Sequence, residues 1–432
     1  MSLCDWPGIR RVATGPRGFA AAGGREETGG AVEQKPGCGT AANGVSVRSR
    51  ETSVSNFYAT PIPLPSEVRG TEELASPALI VFADRLERNL RQMAAIAGEV
   101  QRLRPHCKTH KTAEIIRMLE RMGVRRHKAA TVAEAEMVAT AGGRDVLLAY
   151  NPVGPNIPRV VAFRRRFPEV RLAVTADHQQ PLRELAEAAQ RARVEVDVML
   201  DVDTGQHRTG IAVGEDAARL YRRIAELPGV RPAGLHVYDG HNHQPERSDR
   251  DEAVSAIWRQ VSSFRDALVA AGLPVPEIVC GGTPTFPCYA GIRDAAITLS
   301  PGTCVYHDAN YGRHFRDLPF EPAAVLLTRV ISRPTDRRVT FDLGYKAVAS
   351  DPPAGRRVFF PAIPDAREVL HNEEHLVIET EAAERFSPGD ALFAIPTHVC
   401  PTSALHRHVY VARDGAIAEQ WPVVARDRKL TV

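Results

Sequence analysis

Residues 102–112 read RLRPHCKTHKT, and Lys108 in this stretch is the side chain with the most direct claim on chemistry. The run RLRPHCK is strand-like, and a helical pattern, TAEIIRMLERM, begins just after it. A lysine at the C-terminal end of a parallel strand points into the mouth of a β/α barrel, where such barrels place their reactive groups. There it can form a Schiff base with a carbonyl compound, because burial and neighbouring cations favour the neutral, nucleophilic amine. His106 and His110 flank it, and Arg104 and Lys111 add positive charge. The competing reading of the same residues is a basic, solvated turn.

Four further stretches carry candidate chemistry. In VDVMLDVDTGQHRTGI (196–211), Arg208 follows a strand and can bind an oxyanion or phenolate through charge-assisted hydrogen bonds; the plainer alternative pairs it with Asp201 or Asp203. GLHVYDGHNH (234–243) offers Tyr238 to stack on a flat ring, and His241 and His243 to move protons or bind metal. CGGTPTF (280–286) and SPGT (300–303) follow adjacent strands. Gly281, Gly282 and Thr283, and then Gly302 and Thr303, supply the backbone N–H groups and hydroxyls of a phosphate cradle, late in the chain where barrels place one. PTHVCPTSALH (396–406) holds His398 and Cys400, which face the same side if the run is extended. Imidazole with thiolate suits zinc. Other ligands then come from His110, His241, water or substrate, and an open position is what a catalytic metal needs. The alternative is a buried histidine beside an inert cysteine.

The elements that must position these groups fall into two patterns. From about residue 75 strand-like runs alternate with helical ones: PALIVF (77–82), RLRPHCK, HKAATV (127–132), DVLLAY (145–150), RLAVTA (171–176), VDVMLDVD, GLHVYDG, EIVCGG (277–282) and AITLSPG (296–302). Some eight units over about 230 residues predict a closed (β/α)8 TIM-type barrel over 75–315, an α/β fold. No GxGxxG follows the first strand, which argues against a dinucleotide site. From 316 to 432 strand-like runs follow one another without long helices, predicting a smaller β-rich C-terminal domain with which 56–74 pairs. Residues 1–55 are rich in Gly, Ala, Ser and Arg without apolar periodicity and are expected to be a disordered extension. Arg10, Arg11 and Arg17 hint at a transit peptide, but Asp5, Glu26 and Glu27 oppose it.

Composition bounds the rest. The chain has 432 residues, 44% apolar and 25% charged, with a net charge of +3, an ordinary globular profile with no electrostatic case for nucleic acid or membrane. Seven scattered cysteines without a CxxC are not a disulfide framework and suit a reducing cytoplasm.

In their order, RPHCKTHK, AEAEMVATAG, VDTGQHRTGI, the GGT turn, SPGTCVYHD, DLGYKA and PTHVCPT resemble the fold-type III pyridoxal-phosphate enzymes, the alanine-racemase-like group. Within it the chain is most similar to the D-threonine aldolase and D-serine dehydratase family. The resemblance covers all but the first seventy or so residues. It implies that Lys108 is the Schiff-base lysine, that Arg208 lies near the cofactor's phenolic oxygen, and that Tyr238 lies against its ring. It implies phosphate contacts from Thr283, Gly302 and Thr303, and a metal pair in His398 and Cys400, with zinc foremost and manganese second. Aldolases of the family tend to carry His-x-Asp at that pair, so Cys400 favours a dehydratase; HRTGI and YDGH lean toward the aldolases. Ser300 stands where racemases place an arginine facing the pyridine nitrogen. The implied activity is a metal-dependent lyase on a small D-3-hydroxy amino acid, by dehydration, with retro-aldol cleavage as the alternative, and racemization or a non-catalytic carrier behind both. His110 and His241 join Lys108 as candidate proton-transfer groups, and a homodimer is expected.

Overall fold

A computed structural model describes residues 64, 65 and 67–432; the extension expected over 1–55 lies outside the described residues. The apolar run Ala78–Phe82 forms strand β1, every residue of it buried. After helix α1 (Ala83–Ala97) come the parallel strands β2 (Arg126–Ala129), β3 (Asp145–Leu148), β4 (Arg171–Ala176) and β5 (Val196–Asp203), the short β6 (Ile211–Ala212), and β7 (Val230–Val237), β8 (Ile278–Cys280) and β9 (Ile297–Leu299). They pair in the order β2-β3-β4-β5-β7-β8-β9, with β6 on β5. Helices fill most connections, among them Val132–Thr140, Gln179–Ala192, Glu215–Glu226 and Arg247–Ala270.

The barrel closes through residues 103–106. Leu103 bridges to Leu299 and His106 to Lys128, both parallel. Arg104 N donates to Leu299 O at 2.8 Å, His106 N to Pro301 O at 2.8 Å, and Lys128 N to Pro105 O at 2.9 Å. Pro105 brings no N–H, so this stave is a pair of bridges rather than a regular ladder. It ends in a 3-10 turn, Cys107–Thr109. Lys108 therefore sits on a turn just past the closing stave, not at the end of a regular strand.

Alternation puts every second residue inside the barrel, in layers. Leu147, Ala173, Met199, Ala233 and Val279 pack together as the apolar layer. Below them Arg104, fully buried, donates to both oxygens of Glu277 at 2.9 Å and to Asp145 at 2.7 Å. Arg171 bonds Asp145 at 2.8 Å and Asp197 at 2.5 Å. Arg104 thus spends its charge on the barrel floor, and Lys111 pairs with Glu134; neither lends its charge to Lys108 as the sequence suggested. Arg104→Met is expected to cost about 3–5 kcal/mol of stability by leaving buried carboxylates unpaired. Denaturant unfolding checks this, and a loss under about 1 kcal/mol would contradict it.

The second sheet runs β13-β14-β11-β10-β1-β16-β17. Its strands are β10 (Ala324–Thr335), β11 (Arg338–Phe341), β13 (Arg367–His371), β14 (Leu376–Glu379), β16 (His408–Arg413) and β17 (Ala416–Pro422), with β12 (Val358–Phe359) pairing β15 (Ala391–Pro396), which pairs β10. β1 lies between β10, antiparallel, and β16, parallel. The run 77–82, expected as the first barrel strand, thus belongs to this sheet. An all-apolar run reads the same in either place, because both bury it on two faces. Arg69 bridges Ala416, so the chain enters along this sheet too.

Candidate active site

Three cations converge on one ring at the C-terminal mouth of the barrel. Lys108 Nζ lies 5.9 Å from the Tyr238 ring centroid, Lys128 Nζ 5.4 Å, and Arg208 Cζ 4.9 Å. Tyr238 follows β7 by one residue. A Cβ at Gly240 would fall 2.4–2.5 Å from the ring, and one at Gly282 3.3 Å away, so two glycines let the backbone close on the ring. Asp203 shapes the loop that carries Arg208: its carboxylate accepts from the N–H groups of Gly205 and His207 at 3.0 Å and from His207 Nδ1 at 2.8 Å. Asp201 is taken by His236 Nδ1 at 2.7 Å. Both aspartates are engaged, and Arg208 has neither as its partner.

Two residues here were not singled out from sequence. Lys128 is 3% exposed, and no carboxylate of the described residues forms an ion pair with it. Burial first, and then the charge of Lys108, lower its pKa to about 7. His236 is buried and keeps its Nε2 without a hydrogen-bond partner among the described residues, while Asp201 holds Nδ1. Burial and then Lys128 keep its pKa low against the pull of Asp201. The available signal was alternation: Lys128 lies in a buried strand, and His236 shares a face with Tyr238.

The two turns form a joined cradle. Thr283 Oγ1 accepts from Gly302 N and Cys304 N, each at 3.2 Å. Gly281 N is spent on Val237 O at 3.4 Å, and Gly282 N on Thr285 Oγ1 at 3.1 Å. The N–H groups left without a partner among the described residues are those of Thr283 and Thr303. Gly281 has φ +76, and at Gly302 a Cβ would come within 3.1 Å of His106; their glycines serve the turn and the close approach, and the threonines carry the donors. Ser300 Oγ is buried with no hydrogen-bond partner among the described residues.

His398 and Cys400 do come together, but not on an extended run. His398 caps the short helix Val399–Leu405, and Cys400 lies in its first turn. Cys400 Sγ is 3.2 Å from Thr109 Oγ1 and 3.5 Å from Thr303 Oγ1, so it touches both the turn of Lys108 and the cradle. Burial works against charge on this pair, yet their mutual bond and attraction raise the His398 pKa and lower that of Cys400. Asp351 Oδ2 accepts from His398 Nδ1 at 2.5 Å. Beside them opens a cavity of about 380 Å³ lined by His243, Asp308, Tyr311, Arg313, Asp351, Arg356 and His398, among others. Burial pushes Asp308 up to about 6 although the N–H groups of Tyr311 and Val399 bond it.

The other predicted histidines stand differently. His110 is buried, its Nδ1 3.2 Å from both Thr112 Oγ1 and Thr112 N, and its ring packs edge-on to Tyr306. Burial and then His127 lower its pKa to about 3. His241 lies against Gly205 and has a buried Nδ1 without partner among the described residues. A separate buried group, His106, Cys107 and Glu134, has ligand atoms within 4.8 Å of one another. Glu134 there already binds Lys111 and the Ala130 N–H, and burial raises the Cys107 thiol.

Comparison with known proteins agrees with this architecture. Residues 81–310 match the family described as alanine racemase, N-terminal domain, and residues 323–412 the one described as putative serine dehydratase domain. A D-threonine aldolase of Arthrobacter sp. is 31% identical over 377 residues, 84% of this chain and 97% of that protein. The crystal structure of D-threonine aldolase from Filomicrobium marinum superposes with a TM-score of 0.75 at 29% identity, over 82% of this chain and 96% of that one. D-threo-3-hydroxyaspartate dehydratase from Delftia sp. HT23 does so with a TM-score of 0.70 at 26% identity, over 82% and 98%. Two solved variants of that dehydratase replace a histidine and a cysteine two positions apart, and the cysteine variant is a metal-free form.

Proposed function

We propose, because the chain belongs to the alanine-racemase-like family of pyridoxal-phosphate enzymes, that among its lyases this one dehydrates a D-3-hydroxy amino acid with the help of a metal at His398 and Cys400. The observation that carries this is the His398–Cys400 pair, its sulfur packed on Thr109 and Thr303. The same His-x-Cys spacing was altered in the Delftia dehydratase variants, one of them metal-free. D-threonine aldolase and 3-hydroxy-D-aspartate aldolase relatives share the substrate class.

The residues fit both groups. The unpartnered N–H groups of Thr283 and Thr303, with the Thr283 hydroxyl, would hold the phosphate. Tyr238 would lie against the ring, Arg208 at its phenolic oxygen, and the orphaned Ser300 hydroxyl at its nitrogen. A serine there leaves that nitrogen without the arginine that racemization on this fold uses. His398 Nδ1 is tied to Asp351, which leaves Nε2 as the ligand atom beside the Cys400 thiolate; zinc suits that donor set, with manganese second. Pyridoxal phosphate supplies an electron sink at the substrate's α-carbon, and the metal a Lewis acid at its β-hydroxyl. Lys108 Nζ would hold the cofactor and, once released, take the α-proton. The β-hydroxyl would then leave as water, carrying the proton that Lys108 took from the α-carbon, and the unsaturated amine would add water and lose ammonia to give the oxo acid. His241, packed on the Arg208 loop, would line the substrate's path, and His110 would support the turn of Lys108 from below.

Retro-aldol cleavage is the second reading, favoured by the identity to the Arthrobacter aldolase. It needs a base at the β-hydroxyl rather than at the α-carbon. Product analysis with D-threonine separates the two. Dehydration gives 2-oxobutyrate and ammonia, abolished by a chelator; glycine and acetaldehyde would overturn it in favour of the aldolase. Among the described residues no helix is long and apolar enough to cross a membrane. The free cysteines Cys107, Cys280, Cys288, Cys304 and Cys400 suit a cytoplasmic enzyme, and a homodimer is the proposed assembly on the family resemblance.

A further inference from the structure

We propose that Lys128 is the proton partner of Lys108, a second amine that takes up the proton Lys108 draws from the substrate and returns it before product leaves. This rests on the lyase reading for its catalytic part. The geometry is that of two amines on one aromatic ring, 5.4 and 5.9 Å from its centroid. Lys128 reaches the ring from β2, the neighbour of the closing stave whose following turn carries Lys108. It is buried, and among the described residues no carboxylate lies in ion-pair range of it, a setting that disfavours a permanent ammonium.

The groups around it act in both directions. Lys108 and Arg104 oppose its charge, while Asp201 and Asp239 favour it. Asp201 is engaged by His236 and Asp239 by Thr285, so neither approaches as a direct counter-ion. The imidazoles of His106 and His236 feel its charge as a destabilising one, and Arg208 lies on the same ring. Two ammonium groups on one ring repel each other, and the one at Lys128 also bears the cost of burial. When Lys108 gains a proton, the Lys128 lone pair accepts it: an N–H bond forms at Lys128 Nζ as one breaks at Lys108 Nζ, and the reverse step restores the site. No oxidant or co-reactant is needed. The burial-lowered pKa of about 7 puts Lys128 where it can both accept and release a proton near neutrality.

The chain holds only six lysines, Lys35, Lys108, Lys111, Lys128, Lys346 and Lys429. That makes nuclear magnetic resonance of the full-length protein, labelled with ¹³C at lysine Cε, a direct readout, with the Lys128 signal identified by its absence from Lys128→Met. The expected result is a Lys128 signal that titrates with a midpoint near pH 7; a signal that stays ammonium beyond about pH 9 overturns the proposal. Turnover against pH, with a D-3-hydroxy amino acid, is the second arm. Lys128→Met and Lys128→Arg are both expected to lose roughly 10²-fold or more in kcat and the limb near pH 7. A Lys128→Arg variant with the original rate and profile would show that only positive charge is required, and overturns it. Midpoints near 7 with unaltered profiles overturn the proton transfer but leave the lyase reading standing. A wild type without lyase activity sinks the lyase reading and with it the catalytic part here, while the resonance arm still decides whether Lys128 is a neutral amine.

Discussion

Lys108→Ala is expected to lower turnover of a D-3-hydroxy amino acid by roughly 10⁴-fold or more, with the fold intact. Lys108 is half-buried on a three-residue turn, among its neighbours the cation-facing ring of Tyr238 and the sulfur-bonded Thr109. Alanine removes the amine without disturbing the hydrogen bond of Lys108 in that turn, because its backbone N–H donates to the His106 ring. The cofactor would still be held by the cradle but would lose the absorbance of a lysine-linked carbonyl. Retention of that absorbance, or a loss of less than about tenfold, would contradict the assignment.

The second large effect is expected at the metal pair. His398→Ala and Cys400→Ala should each reduce turnover by roughly 10²–10³-fold, and the double variant should be little worse than either, since groups that act as one unit are not additive. Asp351→Asn, which weakens the partner of His398 Nδ1, should cost roughly 10-fold or more in metal affinity. Turnover and metal content measured on the same preparations check this. Full activity in the double variant would remove the metal from the reaction and bring a metal-free α-proton exchange forward.

Much of this was legible in the sequence, and the reasons for the remainder are physical. The strand–helix alternation between 102 and 302 declared a parallel barrel, because each half of a βαβ unit has its own period. Lys108, Arg208 and Tyr238 were visible as polar groups just past strand ends, and the structure brings them to one ring. The run 77–82 was misplaced because doubly buried strands lack the alternation that would tell one sheet from another. Arg104 was misread because charge near a lysine in sequence says nothing of depth; a separation of four positions along the closing stave and its turn moved it to the barrel floor. His398 and Cys400 were paired for a wrong local reason, an extended run, where a helix start brings them together. In the cradle the glycines drew attention, yet the donors that remain are those of Thr283 and Thr303, since which N–H is spent depends on contacts between two turns. Lys128 looked like an ordinary strand residue, and only tertiary burial gives it a second amine for a neighbour.

The most direct test is to reduce the purified protein with borohydride, which converts a lysine-linked carbonyl into a stable secondary amine, and to locate the added mass by peptide mass spectrometry. The pyridoxyl group is expected on the peptide carrying Lys108, with none on Lys128. Its appearance on Lys128, or on no lysine at all in protein that turns over a D-3-hydroxy amino acid, would contradict the placement of the reaction at this turn.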